Sequence, residues 1–333
     1  MAKKEEIVFK SRQKYDYKAD EKIFYDTIII GAGVVGLAAG MYAGRLGLKT
    51  LIIGELKGGT ITLTNGVENY PGFVSLSGQK LAELMENHVK DYDIDLLNAK
   101  VESIEKKDEN NSPLYIVKTA GKKFKTKTII FATGTKIKRL GVKGEKEFEN
   151  KGVSYCALCD GPLFKNKIVG VVGGSDSAVK EALLLTEYAK KVFIIYRGEQ
   201  IHPEQINLAR AEEKIKWGKI EVINHTNVLE IKGAKFIKSV VLDKAYKGKR
   251  ELLLEGLFVE IGHLPLSELA VPISVRTNEK GEIVINRNSE TNIEGIFAAG
   301  DVVDTEFKQA ITGVGEGVTA VYHAYKFVRK SGL

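Results

Sequence analysis

Short apolar runs that end in glycine-rich turns recur along the chain and predict the buried strands of parallel sheets. Ile28–Ile30 form a β-branched run, the small residues GVVGLAAGMYAGR predict a helix, and KTLIIG supplies the next strand. The same order returns in the middle of the chain, with strands at Ile168–Val172 and Val192–Tyr196 around a helix. Two strand–helix–strand units about 140 residues apart predict two Rossmann-type domains.

The turn after the first strand carries glycines in the spacing that binds a dinucleotide. Gly31, Gly33 and Gly36 follow the pattern G-x-G-x-x-G. The first glycine permits a tight turn, the second lets backbone amides approach a pyrophosphate, and the third lets the helix pack closely on the strand. Because free N–H groups and the helix dipole meet at this end of the helix, the turn predicts an anion site.

The turn of the second unit keeps this pattern with one substitution. Gly173, Ser175 and Ala178 occupy the three corresponding positions. Serine therefore stands where the backbone would come closest to a pyrophosphate. The second unit is either a working nucleotide site with a looser fit or a degenerate copy.

Two more strands end in small residues and are expected beside the first unit. KTIIFATGTK predicts a strand that ends at Thr133 and Gly134, and GEIVINRNSETNIEGIFAAGDV predicts one that ends at Gly300 and Asp301. A long helix is predicted after the second of these strands, in FKQAITGVGEGVTAVYHAYKFV.

Composition and charge narrow the class of protein. The 333 residues suffice for two domains, and 44% apolar with 28% charged residues is typical of a globular protein. No apolar run approaches the roughly 18 residues of a membrane span, and the charged N-terminus lacks the apolar core of a signal peptide. We therefore expect a cytoplasmic protein. The net charge of +7 comes from lysines scattered among glutamates, which does not predict a nucleic-acid partner.

The motifs, taken in order, resemble the low-molecular-weight thioredoxin reductases, which are two-dinucleotide flavoproteins. They are GAGVVG, KGGTITLTNGVENYPG, ATG, YCALCDG, GGSDSA, GHLP, GIFAAGDV and KQAITGVGEG. The match begins at about Tyr25 and leaves residues 1–24 as an N-terminal extension. The resemblance implies an α/β fold with two Rossmann-like domains and a homodimer. The FAD domain, residues 1–138 and 262–333, would be discontinuous and enclose a pyridine-nucleotide domain, residues 139–261, that carries the CxxC.

Cys156 and Cys159 in YCALCDG are the two cysteines of the chain. A zinc site needs about four ligands, but there is no second cysteine pair and the five histidines show no ligand spacing to this one. Zinc and inert buried thiols stay as minor alternatives to a catalytic dithiol. The resemblance implies that Cys159 exchanges electrons with the flavin, that Cys156 attacks the partner's disulfide, and that Asp160 is the acid that moves protons.

The resemblance also implies a set of flavin contacts. Asp301 would bind the ribityl chain, and the helix that begins at Gln309 and Ala310 would direct its positive end toward the isoalloxazine. Two positions depart from the family pattern: Thr60 replaces a more common glutamine, and Glu55 is displaced by about two positions from the usual ribose acid. The implied FAD set is Gly31, Gly33, Gly36, Glu55, Thr60, Asn69, Thr133, Gly134, Gly300, Asp301, Gln309 and Ala310.

The nicotinamide site departs further from the family pattern. The family places several cations after the second strand of this unit to bind the 2′-phosphate of NADPH. Here Arg197 is retained, Gly198 and Glu199 follow it, and His202 stands where a later arginine is expected. The contacts that the resemblance implies are Gly173, Ser175, Ala178 and Arg197. The sequence leaves open NADH, NADPH, or another donor such as a deazaflavin or ferredoxin.

These observations favour an FAD-dependent disulfide reductase whose partner is thioredoxin or a glutaredoxin-like protein. Two alternatives keep the same fold: a flavoprotein that reduces a small-molecule disulfide, and a nucleotide-binding redox sensor without turnover.

Overall fold

The computed structural model describes residues 19–64, 66–109 and 112–330. Most of the predicted N-terminal extension lies outside these residues. The chain divides into two compact units: one runs to Thr135 and resumes at Pro265, and the other is Lys136–Leu264. No helix in the described ranges is long and apolar enough to cross a bilayer.

The strands are numbered along the chain. They are β1 Phe24–Ile30, β2 Thr50–Ile53, β3 Asp95–Leu97, β4 Val101–Glu109, β5 Ser112–Thr119, β6 Lys122–Phe131, β7 Thr135–Ile137, β8 Val153–Ser154, β9 Ile168–Val172, β10 Lys191–Ile195, β11 Ile220–Ile223, β12 Val228–Gly233, β13 Ile237–Tyr246, β14 Lys249–Leu253, β15 Gly256–Val259, β16 His263–Pro265 and β17 Ile296–Ala298.

The helices are α1 Val34–Arg45, α2 Gly78–Val89, α3 Ala157–Asp160, α4 Asp176–Leu185, α5 Gln205–Lys216 and α6 Ala310–Lys330. Short 3₁₀ helices span Gly59–Leu63, Gly161–Phe164 and Val271–Ile273.

The first unit is built on a sheet in the order β3-β2-β1-β6-β5-β4, with β17 also paired to β6. Both faces of β1 are buried. Because alternate side chains of a strand point to opposite sides, neighbouring residues of β1 enter different apolar clusters. Ile28 and Ile30 pack in one apolar cluster, whereas Ile29 packs in the other with residues of α1 and α6. The predicted β-branched run is therefore the centre of the sheet.

The two strands predicted before ATG and AGD lie in the sheet of the first unit, as expected, but they end earlier than predicted, at Phe131 and Ala298. β6 runs parallel to β1 with Ile30 opposite Phe131, and β17 runs parallel to β6 with Ala298 opposite Phe131. Because the carboxyl ends of parallel strands meet at one edge, the segments after β1, β6 and β17 are gathered there.

The second unit has a parallel sheet in the order β11-β10-β9-β15-β8 and a separate antiparallel sheet, β12-β13-β14. Val172 lies opposite Val259, and Phe258 lies opposite Ser154. The segments after β8, β9 and β15 therefore share the carboxyl edge of this sheet. Strand β10 ends at Ile195, one residue before the predicted end. The connecting strands β7 and β16 pair with each other.

Candidate active site

The glycine turn after β1 has two positions where the fold leaves no room for a Cβ and one position where it does. Gly31 has φ +120°, and a Cβ there would lie 2.0 Å from the carbonyl oxygen of Ala132. A Cβ on Gly36 would lie 1.9 Å from the carbonyl oxygen of Gly31. At Gly33 the nearest atom is Gly59 Cα at 3.7 Å, which is ordinary contact. The protein's own packing thus requires the first and third glycines but not the second.

The N-terminus of α1 provides the donors that an anion needs. Gly33 is the N-cap, no side chain caps it, and the first turn of α1 has no acidic residue. The adjoining loop is held against the turn, because Gly58 N–H donates to Ala32 O at 2.8 Å and Gly58 forms a β-bridge with Gly33. Free N–H groups, an uncompensated helix end and the space above Gly33 suit a pyrophosphate. The loop therefore fits the dinucleotide that the sequence predicts there.

Segments after β6 and β17 bring the next expected flavin residues to this edge. The Thr133 hydroxyl donates to Leu266 O at 2.7 Å, and Leu266 N–H donates to Gly134 O at 2.9 Å. Gly300 N–H donates to Glu316 Oε2 at 2.8 Å. These bonds hold the two turns in place from elsewhere in the unit. The expected contact Asp301 is exposed.

Asn69 and Gln309 are far apart in sequence but form one hydrogen bond. Asn69 Nδ2 donates to Gln309 Oε1 at 2.9 Å. Gln309 N–H in turn donates to the Thr312 hydroxyl at 3.1 Å, just before α6 begins at Ala310. The first turn of α6 has no acidic residue. The structure thus joins two residues that the resemblance named separately.

Two expected contacts that depart from the family pattern lie in solvent. Glu55 is exposed two residues past β2, and Thr60 is exposed in the 3₁₀ helix Gly59–Leu63. By contrast, sequence reasoning missed Glu316, which anchors Gly300 N–H. A glutamate in the helix after a GD turn gives no signal by itself, because its partner is set by how α6 packs.

The two cysteines of the second unit are joined as a disulfide. Cys156 and Cys159 have Cα atoms 5.4 Å apart, within the usual range for a disulfide. Cys156 is the N-cap of α3, and Cys159 N–H donates to its Sγ at 3.1 Å. Cys159 is exposed and Cys156 is partly buried. Because β8 ends at Ser154, the disulfide lies at the carboxyl edge of the parallel sheet.

Asp160 ends the short helix α3 and is tied to the same loop through its backbone. Its N–H donates to Cys156 O at 3.2 Å. The carboxyl group is partly buried and directly follows Cys159. This position suits a group that exchanges protons with the thiols.

A second acidic feature, which sequence reasoning missed, supports the disulfide loop. Glu181 on α4 accepts the N–H of Ala157 through Oε1 at 3.1 Å. The carboxyl of Glu260, which follows β15, lies within hydrogen-bonding reach of Glu181. Burial and the charge of Glu181 raise the pKa of Glu260 to about 9, and burial also raises the pKa of Glu181. These are the two carboxyls, among the described residues, whose pKa is raised.

The glycine turn after β9 retains the close packing of a dinucleotide loop. Gly173 has φ +149°, and a Cβ there would lie 2.1 Å from Glu260 O and 2.8 Å from the Cβ of Ala178. Ser175 is the N-cap of α4 and makes no side-chain capping bond. The first turn of α4 contains Asp176, whose carboxylate accepts from Glu204 N–H and Asn207 Nδ2. A carboxylate at this helix end opposes the binding of a pyrophosphate.

The ring of Tyr196 covers part of this turn. A Cβ on Gly174 or on Gly198 would lie 2.5 Å from an atom of that ring. The Tyr196 hydroxyl lies 3.3 Å from His202 Nδ1. Arg197 is exposed, and so is His202. The histidine that stands in place of an arginine therefore packs on a tyrosine.

Comparisons with known proteins agree with the sequence motifs. A family model described as pyridine nucleotide-disulphide oxidoreductase matches residues 25–317. A thioredoxin reductase of Bacillus subtilis is 38% identical over 94% of this chain and 97% of its own length.

Two solved structures show the same likeness. The crystal structure of Lactococcus lactis thioredoxin reductase has a TM-score of 0.85 at 38% identity, and covers 92% of this chain and 99% of that chain. The crystal structure of T. acidophilum thioredoxin reductase has a TM-score of 0.83 at 34% identity, and the match covers 91% of this chain and 98% of that chain.

Proposed function

Because this chain belongs to the pyridine nucleotide-disulphide oxidoreductase family and, within it, to the thioredoxin reductases, we propose that it uses FAD to reduce the disulfide of thioredoxin or a glutaredoxin-like protein. Two electrons enter from a reduced donor and leave through the Cys156–Cys159 pair. The observation that carries the proposal is the disulfide at the carboxyl edge of a Rossmann-type sheet. It occurs in a chain that also has a dinucleotide loop with open space at Gly33.

The first unit supplies the residues for FAD. The N–H groups at the start of α1 would bind the pyrophosphate, and Asp301 would accept from the ribityl hydroxyls. Gln309 accepts a hydrogen bond from Asn69 just before α6 and would orient the isoalloxazine. When bound, a flavin accepts a hydride and passes two electrons to a disulfide. Glu55 and Thr60 are weaker candidates because both side chains lie in solvent.

The second unit supplies the dithiol. We assign Cys159 as the thiol that takes electrons from the flavin and Cys156 as the nucleophile toward the partner's disulfide. The hydrogen bond from Cys159 N–H to Cys156 Sγ supports this order, because a donor to sulfur favours the thiolate over the thiol. Asp160 would give and take the proton that the exchange requires. The partner's disulfide is reduced while the Cys156–Cys159 disulfide re-forms.

The residues of the second unit favour no single electron donor. The glycine turn after β9 supports a pyridine nucleotide, but Asp176 and the ring of Tyr196 weaken the fit. Arg197 is the retained cation for a 2′-phosphate, and Glu199 lies two residues further on. We therefore expect no strong preference for NADPH over NADH. If both nucleotides react slowly, a deazaflavin or ferredoxin becomes the better candidate.

The test combines a spectrum with a turnover assay. The purified protein should be yellow, with about one FAD per chain as the family resemblance implies. Under anaerobic conditions NADPH, NADH, a reduced deazaflavin and reduced ferredoxin are each offered as donor, with oxidised thioredoxin or glutathione as acceptor. Thioredoxin reduction that requires both cysteines would support the proposal.

Each contrary result has a separate meaning. A spectrum without flavin bands, even after FAD is added, would refute the proposed cofactor. Faster reduction of glutathione than of thioredoxin would favour a small-molecule disulfide as substrate. Flavin reduction without turnover of either disulfide would favour a redox sensor. The family resemblance also implies a homodimer, which sedimentation equilibrium of the holoprotein would check.

A further inference from the structure

We propose that Glu181 and Glu260 form a partly buried acid pair that holds one negative charge against the Cys156–Cys159 loop and makes the dithiol a stronger reductant. The inference rests on the proposed dithiol function and adds two residues to it. Neither residue carries a signal in the sequence, because α4 and the end of β15 meet only in the folded sheet.

The pair is in direct contact with the backbone of the disulfide loop. Glu181 Oε1 accepts the N–H of Ala157, the residue that follows Cys156. Ala157 is buried and is the first residue of α3. Any charge on Glu181 therefore lies against the peptide group that joins Cys156 to Ala157.

The geometry requires one shared proton. Glu181 Oε2 is buried and accepts no hydrogen bond from the described residues. The carboxyl of Glu260 lies within hydrogen-bonding reach of the Glu181 carboxyl, and two carboxylates cannot donate to each other. A proton on Glu260 lets it donate to the Glu181 carboxylate and leaves a single charge on Glu181, where the Ala157 N–H stabilises it.

No cation among the described residues neutralises that charge. The elements packed on α4 are α3, α5, β9 and β10, and neither Glu181 nor Glu260 forms an ion pair within this part of the chain. The titratable side chains on α4 and these elements, besides the two cysteines, are Asp160, Asp176, Lys180, Lys191, Arg210, Glu212, Glu213, Lys214 and Lys216. Lys191 pairs with Glu221, and Asp176 binds Glu204 N–H and Asn207.

An uncompensated charge at this place has a defined effect on the redox couple. Reduction breaks the Cys156–Cys159 bond, consumes two electrons and two protons, and allows one thiol to ionise. A fixed negative charge repels that thiolate and so disfavours the reduced form. The dithiol then gives up its electrons more readily, which suits an enzyme that must pass them to a partner.

The test is a redox titration of the cysteine couple in the holoprotein. Wild type, Glu181→Gln, Glu260→Gln and Glu187→Gln are equilibrated without oxygen in dithiothreitol buffers at pH 7. The cysteines are then alkylated and the reduced fraction is measured by mass. Glu187 is exposed and follows α4, so Glu187→Gln changes the net charge equally without touching the pair.

Glu181→Gln should raise the equilibrium constant for reduction about tenfold, equal to about 30 mV for a two-electron couple. A carboxylate that accepts the Ala157 N–H is close enough to a thiolate on Cys156, at an effective dielectric constant of about 20, to produce an effect of this size. The amide oxygen of glutamine still accepts the Ala157 N–H, so the loop is preserved. Glu260→Gln should stay within about twofold of wild type, because its amide donates to Glu181 and leaves the charge in place.

Two further measurements do not depend on whether Glu181→Gln folds. Glu260→Lys places a cation beside Glu181 and should also favour reduction about tenfold. The infrared carbonyl band of a protonated carboxyl should be present in wild type at pH 7 and absent from Glu260→Gln.

Three results would overturn the inference alone: a Glu181→Gln shift below twofold, an equal shift in Glu187→Gln, or no protonated carboxyl in wild type. A wild-type couple that does not respond to dithiothreitol would overturn the proposed dithiol function as well.

Discussion

Replacing Gly33 with alanine separates what the fold requires from what a bound dinucleotide requires. A Cβ at this position lies 3.7 Å from Gly59 Cα and 3.8 Å from Gly58 O, and the backbone angles of φ −74° and ψ 179° are open to alanine. Alanine is worse than glycine at an N-cap by about 0.5–1 kcal/mol. The loss of glycine's freedom in the unfolded chain returns about 0.4–1 kcal/mol. The free energy of unfolding should therefore change by less than about 1 kcal/mol.

FAD affinity should change much more. The added methyl group occupies the space where the pyrophosphate approaches the N–H groups of α1. Losing one charge-assisted hydrogen bond costs about 1.5–3 kcal/mol, and 1.4 kcal/mol is a tenfold change in the dissociation constant. Gly33→Ala should weaken FAD binding at least about tenfold. Titration of FAD into the apoprotein, followed by quenching of flavin fluorescence, measures the affinity, and urea unfolding of the apoprotein measures the stability.

Gly36→Ala provides the opposite pattern as a control. Its Cβ would lie 1.9 Å from Gly31 O, so the turn must move, at a typical cost of about 1–3 kcal/mol in stability. Without this clash, alanine inside a helix would stabilise by about 1 kcal/mol. The reasoning is refuted if Gly33→Ala binds FAD as wild type does, or if Gly33→Ala unfolds as readily as Gly36→Ala.

The remaining predictions concern the second unit. The pKa of Glu260 is raised from 4.5 to about 9, so the folded protein holds an extra proton between these values and loses stability as pH rises through them, by at most about 1.4 kcal/mol per pH unit. Urea unfolding at pH 5, 7 and 9 should show that the free energy of unfolding of Glu260→Gln increases relative to that of wild type as pH rises. The same pH dependence in both proteins would contradict this. Cys159→Ser should abolish electron flow from flavin to disulfide, whereas Cys156→Ser should leave Cys159 free and block turnover; full disulfide-reductase activity in either variant would disprove the relay. Stopped-flow reduction of FAD should favour NADPH over NADH by less than a hundredfold, because the negative charge of Glu199, two residues from Arg197, repels a phosphate and a single guanidinium binds it only in part. A larger preference would mean that cations elsewhere complete the site.

The α/β fold could be predicted because its signals are local. Gly36 is required by the carbonyl oxygen of Gly31, five residues earlier, and the φ of +120° at Gly31 belongs to the same strand–turn–helix segment. The burial of Ile28–Ile30 follows from an unbroken β-branched run, and the CxxC is itself a local motif. The whole set, in order, was sufficient to indicate the family, and the comparisons confirmed it. The assignments of single cofactor contacts stay predictions.

The contacts that tertiary structure decided all join distant segments. Asn69 meets Gln309, Gly300 meets Glu316, and Glu181 meets the loop after β8 because helices and loops pack against the carboxyl ends of the parallel strands. Their polar side chains look like ordinary surface residues in the sequence. Local spacing determines which turns can bind phosphate or form a disulfide, since a turn depends on a few adjacent φ and ψ angles. The charge and hydrogen bonds around those turns depend on strand order and helix packing, so only the folded chain determines them.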